Sequence, residues 1–207
     1  MLANKPYVIG LTGGIGCGKT EAARDLEGLG ATHLDADAIS RRLTADNGEA
    51  LDGIRRVFGD GVFREDGSLD RQRLGKLVFA DDKARRALES IMHPLVQRDM
   101  LAAMDEAACA GAGVVVLDVP LLFETGMDAL CDETWALYAP REKQIARIVA
   151  RDGLSPEDAV ARIDSQMPME TRNGKATFAI NTDRPIERTQ AELEQLYRAA
   201  QKRAEKN

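Results

Sequence analysis

Tyr7-Val8-Ile9-Gly10-Leu11-Thr12-Gly13-Gly14-Ile15-Gly16-Cys17-Gly18-Lys19-Thr20-Glu21 decides the reading of the whole chain. Tyr7 to Leu11 is a short apolar run of the kind that forms a parallel strand buried on both faces. Gly13 to Thr20 satisfies G-x-x-x-x-G-K-[ST] in full. Thr20 to Leu29 then has helical spacing, with Ala23, Leu26 and Leu29 on one side and Glu21, Arg24 and Glu27 on the other. Strand, glycine loop and helix in that order are the context the motif requires. A flexible turn would explain the glycines, but not Lys-Thr at that offset. Glycines let the main chain come close to a ligand. Successive N–H groups can then converge on an anion with the positive end of the helix dipole behind them. Lys19 is spaced to reach the outer phosphates of a nucleotide, and Thr20 to offer its hydroxyl to Mg²⁺.

The rest of the chain limits what such a site can serve. At 207 residues the length suits one domain with insertions. Hydrophobic residues make up 44% and charged residues 30%, the balance of an ordinary folded protein. No apolar run approaches the roughly 20 residues of a membrane helix, so no membrane role is expected. Met1 to Pro6 leads at once into the first strand and leaves no room for a signal peptide. Cys17, Cys109 and Cys131 are scattered and lack metal-ligand spacing, which suits a reducing, cytoplasmic setting. The net charge of −6 argues against a nucleic-acid surface. An anionic ligand must therefore be held by local clusters of Arg and Lys. Nothing in the sequence points to an obligate protein partner.

Outward from the loop, Gly30 closes the first helix, and Ala31 to Asp35 reads as a second strand. It ends in Asp35-Ala36-Asp37. If that tripeptide is extended, both carboxylates share a face, beyond a strand's carboxyl end where ligands of open α/β sheets sit. Asp37 is also placed to cap a helix starting at Ala38. His33 reads as a packed residue. From Thr44 to Gly113 the strand–helix alternation stops. Ala50–Phe58, Arg71–Phe79, Asp82–Met92 and Pro94–Ala110 have helical periodicity, with turns at Gly59-Asp60-Gly61 and Asp66-Gly67 and a small hairpin near Val62-Phe63. This stretch reads as an inserted helical subdomain, with Met92, Val96, Met100 and Met104 as a core stripe. Pro94 is expected at the first turn of its longest helix.

Val114 to Val119 is a strongly strand-like run carrying Asp118 at its end, where a Walker B carboxylate would hold Mg²⁺. Glu133 to Tyr138 and Phe178 to Asn181 read as fourth and fifth strands. Arg141 to Asp152 is a helix with Arg147 and Arg151 four apart and so on one face. Ser155-Pro156 starts the next helix, which carries Arg162. Ile186 to Lys206 is an amphipathic closing helix. An acidic chain that gathers arginines in one helical hairpin aims them at an anion, and phosphoryl transfer needs such charge. A GTPase would need Asn/Thr-Lys-x-Asp, and Asn181-Thr182-Asp183 lacks the lysine. A motor ATPase would need a longer chain. A small-molecule kinase needs an insert for the acceptor, an acid near the γ-phosphate and a basic lid, and all three have candidates.

Several ordered segments are similar to dephospho-CoA kinases. They are Gly10 to Gly16, Asp35-Ala36-Asp37 with Arg41, His93-Pro94, and Asp118-Val119-Pro120-Leu121-Leu122-Phe123-Glu124. Gln144, Arg147, Arg151-Asp152, Arg162-Ile163, Gln166 and Asn181 continue the match. The resemblance implies an α/β P-loop kinase core with a five-stranded, mainly parallel sheet flanked by helices. It divides the chain into a nucleotide-binding core (1–38, 113–146 and 176–207), an acceptor-binding helical insert (39–112) and a lid (147–175). It implies ATP and dephospho-CoA as substrates, with Mg²⁺ on Thr20 and Asp118. Catalytic positions would be Asp37, Lys19, Arg151 and Arg147. ATP would be bound by Gly13, Gly14, Ile15, Gly16, Cys17, Gly18, Lys19, Thr20, Glu21 and Asn181, and the acceptor by Asp35, Arg41, His93, Pro120 and Leu121. The family usually carries Ala-Asp where this chain has Ala176-Thr177, a region expected on the adenine side. Gluconate or shikimate kinase is the nearest alternative in the same fold class, and a non-catalytic nucleotide switch the alternative outside it.

Overall fold

The computed structural model of the protein describes residues 5–206. Strands β1 (Tyr7–Gly13), β2 (Thr32–Asp35), β3 (Val114–Asp118), β4 (Glu133–Tyr138) and β5 (Phe178–Asn181) form one sheet in the order β2-β3-β1-β4-β5. β1 pairs in parallel with β3 and with β4, and β4 in parallel with β5. β1 and β3 are buried along their whole length, as expected of strands covered on both faces. Ile9, Leu11, Val114, Val116, Trp135 and Leu137 alternate onto one face. There they pack with Ala23 and Leu26 of α1 (Lys19–Gly28) and with Leu193 and Tyr197.

The chain divides into two compact units, Met1–Leu34 with Met104–Asn207, and Asp35–Ala103. The second contains α2 (Ala36–Leu43), α3 (Ala50–Phe58), α4 (Arg71–Ala80) and most of α5 (Asp82–Cys109). Its core gathers Leu43, Ala50, Ile54, Val62, Phe63, Leu69, Leu74 and Met92. Phe63 and Leu69 form an antiparallel bridge where the small hairpin was expected. The anticipated helix break at His93-Pro94 is absent, and α5 runs through Pro94. An internal proline costs roughly 3 kcal/mol. Leu88, Ile91, Met92, Leu95 and Val96, on both sides of it, pack into this core. Full burial of one such side chain is worth about 1.5–3 kcal/mol, so even partial burial of five outweighs the break.

In the first unit, α6 (Arg141–Asp152), α7 (Pro156–Asp164), α8 (Met169–Lys175) and α9 (Ile186–Ala204) follow β4 and β5. Ser155 caps α7 by accepting from the Asp158 amide at 3.1 Å, with Pro156 in the first turn, as the sequence indicates. At the amino end of β4 the buried Glu133 accepts from Tyr7 (3.1 Å), Trp135 (3.0 Å) and Arg203 of α9 (2.6 Å). Burial, then the neighbouring Glu133 charge, push the Tyr7 phenol upward from its ordinary range. Thr177 corrects an expectation. Its hydroxyl accepts from the Thr134 amide and its amide donates to the Thr134 hydroxyl, both at 3.0 Å. That pair sits at the amino end of β4, whereas ligands of such sheets sit beyond the carboxyl ends. Among the described residues no helix is long and apolar enough to cross a membrane.

Candidate active site

The phosphate loop follows the carboxyl end of β1, the central strand. Gly16 and Gly18 have φ of 78° and 79°, left-handed values that side chains resist. Lys19, Thr20 and Glu21 open α1, so their amides lack intrahelical acceptors and lie at the positive end of the dipole. Thr20 and Glu21 are exposed, while Cys17 is buried, with its amide on the Gly14 carbonyl at 3.0 Å. The Cys17 sulfur receives the Gln144 side-chain amide at 2.7 Å, which makes it a packing residue of the loop.

Asp118 ends β3, next to β1, and is 5% exposed. Its Oδ1 is ion-paired with Lys19 Nζ. Its Oδ2 lies 3.3 Å from His33 Nε2, and His33 Nδ1 lies 3.2 Å from Glu27. The hydrogen bond to Asp118 raises the His33 imidazole above its ordinary value, against the opposing effect of burial. His33, expected only to pack, is thus a polar partner of the buried acid. No group of three or more His, Cys, Asp or Glu fit to hold a metal occurs among the described residues. Magnesium bound with a nucleotide does not require one, since phosphates and waters fill most of its octahedron. One carboxylate and one exposed hydroxyl, Asp118 and Thr20, are a donor set that fits such an ion.

Arg147 and Arg151 of α6 part company. The Arg147 guanidinium donates to the Gly16 carbonyl (3.0 Å), the Thr182 carbonyl (2.9 Å) and the Thr182 hydroxyl (3.3 Å). It clasps the phosphate loop to the turn after β5. Arg151 is exposed and held by Asp152 at 2.7 and 3.0 Å, and Arg162 reaches the same carboxylate at 3.3 Å. That bond raises the Arg151 value further, and the Glu21 charge adds to it. The Asn181 side chain accepts from the Asp183 amide at 2.8 Å and so shapes the turn that Arg147 grips. After β3, the Pro120 carbonyl accepts from Thr12 at 3.1 Å, which ties the segment to β1, and Leu121 is exposed.

In the second unit the Asp35–Asp37 expectation changes. Asp35 is the N-cap of α2, its Oδ1 accepting from the Asp37 amide at 2.7 Å, and its Oδ2 lies 3.3 Å from Arg41. Asp37 is in the first turn of that helix, neither its cap nor extended. The two acids therefore do not share the face that an extended tripeptide would provide. His93 is half-buried within α5. The sequence reading assigned Gln144 no role beyond its place in the family match and did not single out Arg172; both are buried beside the loop. Their signal was a polar residue on the inner stripe of a helix: Gln144 is one turn from the buried Ile148.

A parallel sheet with a phosphate loop at its central strand and a buried acid on the neighbouring strand defines a P-loop kinase fold. The protein belongs to the dephospho-CoA kinase family, whose model matches residues 7–188. A dephospho-CoA kinase of Symbiobacterium thermophilum is 45% identical over 93% of this chain and 81% of its own. Among solved structures, a Thermus thermophilus protein superposes with a TM-score of 0.78 at 37% identity, over 92% of this chain and 96% of its own. A dephospho-CoA kinase from Campylobacter jejuni gives 0.69 at 29%, over 94% and 97%.

Proposed function

We propose that this protein transfers the γ-phosphoryl group of ATP to the ribose 3′-hydroxyl of dephospho-CoA, releasing CoA and ADP. The family match across residues 7–188 carries this reading, because it takes in the phosphate loop, the helical insert and the arginine helices. The reaction would run in the cytoplasm and without an obligate protein partner. Gly13 to Glu21 bind the triphosphate, and Asn181 shapes the wall of the nucleotide site. Thr20 and Asp118 hold Mg²⁺, which supplies positive charge to the phosphate oxygens when bound. Lys19 exchanges Asp118 for those oxygens. Asp35, Arg41, His93, Pro120 and Leu121 bind the acceptor, and Asp37 orients its hydroxyl and takes its proton. Residues 147–175 act as a lid, needed because water is a smaller and more abundant nucleophile than a ribose.

A coupled ADP-release assay tests the substrate. Turnover is expected with dephospho-CoA and Mg²⁺, and little with gluconate or shikimate. Comparable rates with either small acceptor would overturn the assignment. ATP binding without turnover of any acceptor would favour the switch.

The two α6 arginines should separate in kinetics. Arg151, not tied to the loop, is free to follow charge on the moving group. Arg151→Ala is expected to lower kcat by about 10²–10³-fold, as removal of a transition-state donor does, with a smaller change in ATP affinity. Arg147→Ala removes a clasp made in the ground state and should raise the KM for ATP more than it lowers kcat. The opposite pattern would move the catalytic arginine to Arg147.

A further inference from the structure

The segment between α7 and α8 reaches back to the phosphate loop through one side chain. Gln166 Oε1 accepts from the Ile15 amide at 2.8 Å, across 151 residues of sequence. The segment is itself constrained. The Gln166 amide donates to the Ile163 carbonyl at 3.1 Å, the Met167 carbonyl accepts from Arg172 Nη2 at 2.7 Å, and Pro168 precedes α8. Arg172 is 3% exposed. Its Nε has no hydrogen-bond partner among the described residues, and its Nη1 lies 3.2 Å from where a Cβ at Gly14 would stand. Gln144 Nε2 lies 2.8 Å from the same point, so Gly14 has no room for a side chain. Gln166 and Arg172 both line a cavity of about 230 Å³ with Gly14, Gln144 and Arg141. The loop is thus gripped residue by residue: Gly14 against Arg172, the Ile15 amide by Gln166, the Gly16 carbonyl by Arg147 and the Cys17 sulfur by Gln144.

We infer that Gln166 is a positioning residue for phosphoryl transfer: by accepting from the Ile15 amide it pins the outer end of the phosphate loop to the segment that leads into α8. The inference rests on the kinase reading above. A phosphate loop works by holding its amides where charge develops, so that no reorganisation is required during the reaction. Gly13, Gly14 and Gly16 leave the outer end of this loop little side-chain packing of its own. An acceptor from outside supplies the restraint, and it comes from residues 147–175, whose closure would then be felt at the loop. A purely structural role would show in stability and leave the kinetic parameters of the folded enzyme unchanged.

The test compares the full-length parent with Gln166→Met, of similar length but without an acceptor, and Gln166→Glu, which keeps an acceptor oxygen at the same reach. Amide hydrogen exchange of peptides containing Ile15 is read beside steady-state kinetics with dephospho-CoA. Gln166→Met is expected to lose protection at Ile15 and up to about 10²-fold in kcat, the scale on which a misplacement of about 1 Å is felt, while its melting temperature stays near the parent's. Gln166→Glu is expected to keep the Ile15 protection and to lose less kcat than the Met variant. Parent-like kinetics in Gln166→Met, or equal losses in both variants, would overturn the positioning role. A parent that does not turn over dephospho-CoA would overturn the kinase reading instead, and with it this role.

Discussion

Asp37→Asn is expected to lose about 10²–10⁴-fold in kcat, the usual contribution of a positioned general base. ATP affinity should stay close to the parent's. The substitution keeps size and removes the proton acceptor, so it isolates the charge. Asp37 lies in the first turn of α2, where the interaction of a carboxylate with the helix dipole is worth about 0.3–1 kcal/mol. The informative control is Asp35→Asn. Asp35 is the residue that caps α2, and asparagine caps as well as aspartate. Its ion pair with Arg41 is partly exposed and worth little. Asp35→Asn should therefore keep most of kcat, with its place in the acceptor site showing as a higher KM for dephospho-CoA. Side-by-side kinetics decide the matter: an active Asp37→Asn beside a crippled Asp35→Asn would reverse the two roles.

Lys19→Met should reduce turnover by at least roughly 10²–10³-fold, since it removes positive charge from the group whose charge redistributes in the transition state. The structure adds a complication. Lys19 is the ion-pair partner of Asp118, and both side chains are largely buried. Removing one member of such a pair leaves a carboxylate uncompensated and destabilises by several kcal/mol. A loss of activity in the single variant could then reflect unfolding. The double variant Lys19→Met, Asp118→Asn separates the effects, because a neutral amide can sit beside His33 without a counter-charge. Urea midpoints should recover in the double variant while turnover does not. Because Asp118→Asn also removes the proposed Mg²⁺ ligand, recovery of both would overturn the phosphate role of Lys19 and the metal role of Asp118 together.

What was legible in the sequence was local. The phosphate loop, the apolar run ending in Asp118 and the Ser155-Pro156 helix start each depend on neighbours within a few residues, and each stands where expected. The misreadings arose where a distant partner decides. His33 meets Asp118 because β2 lies beside β3, and no spacing in the sequence reveals strand order. Pro94 stays inside α5 because the apolar side chains before and after it share one core. Thr177 pairs with Thr134 across neighbouring strands, 43 residues apart in the sequence. Moving the start of α2 by two residues transferred the cap from Asp37 to Asp35, an error of boundary rather than of element.

The register of the sheet also sets a timetable for synthesis. Tyr7 is paired with Val114, and Ile9 with Glu133, so β1 has no neighbour until roughly a hundred further residues exist. At about 5–20 residues per second on the ribosome, the central strand waits of the order of five to twenty seconds. Residues 35–103 are contiguous and carry their own core, so they can condense during that interval. The loop-closure penalty for bringing β1 to β3 grows only logarithmically with the intervening length. The long connection therefore slows the first pairing more than it weakens the finished sheet. Until then the apolar strand segment Tyr7–Leu11 has no partner strand, the condition in which unpaired strand edges are open to wrong association during synthesis.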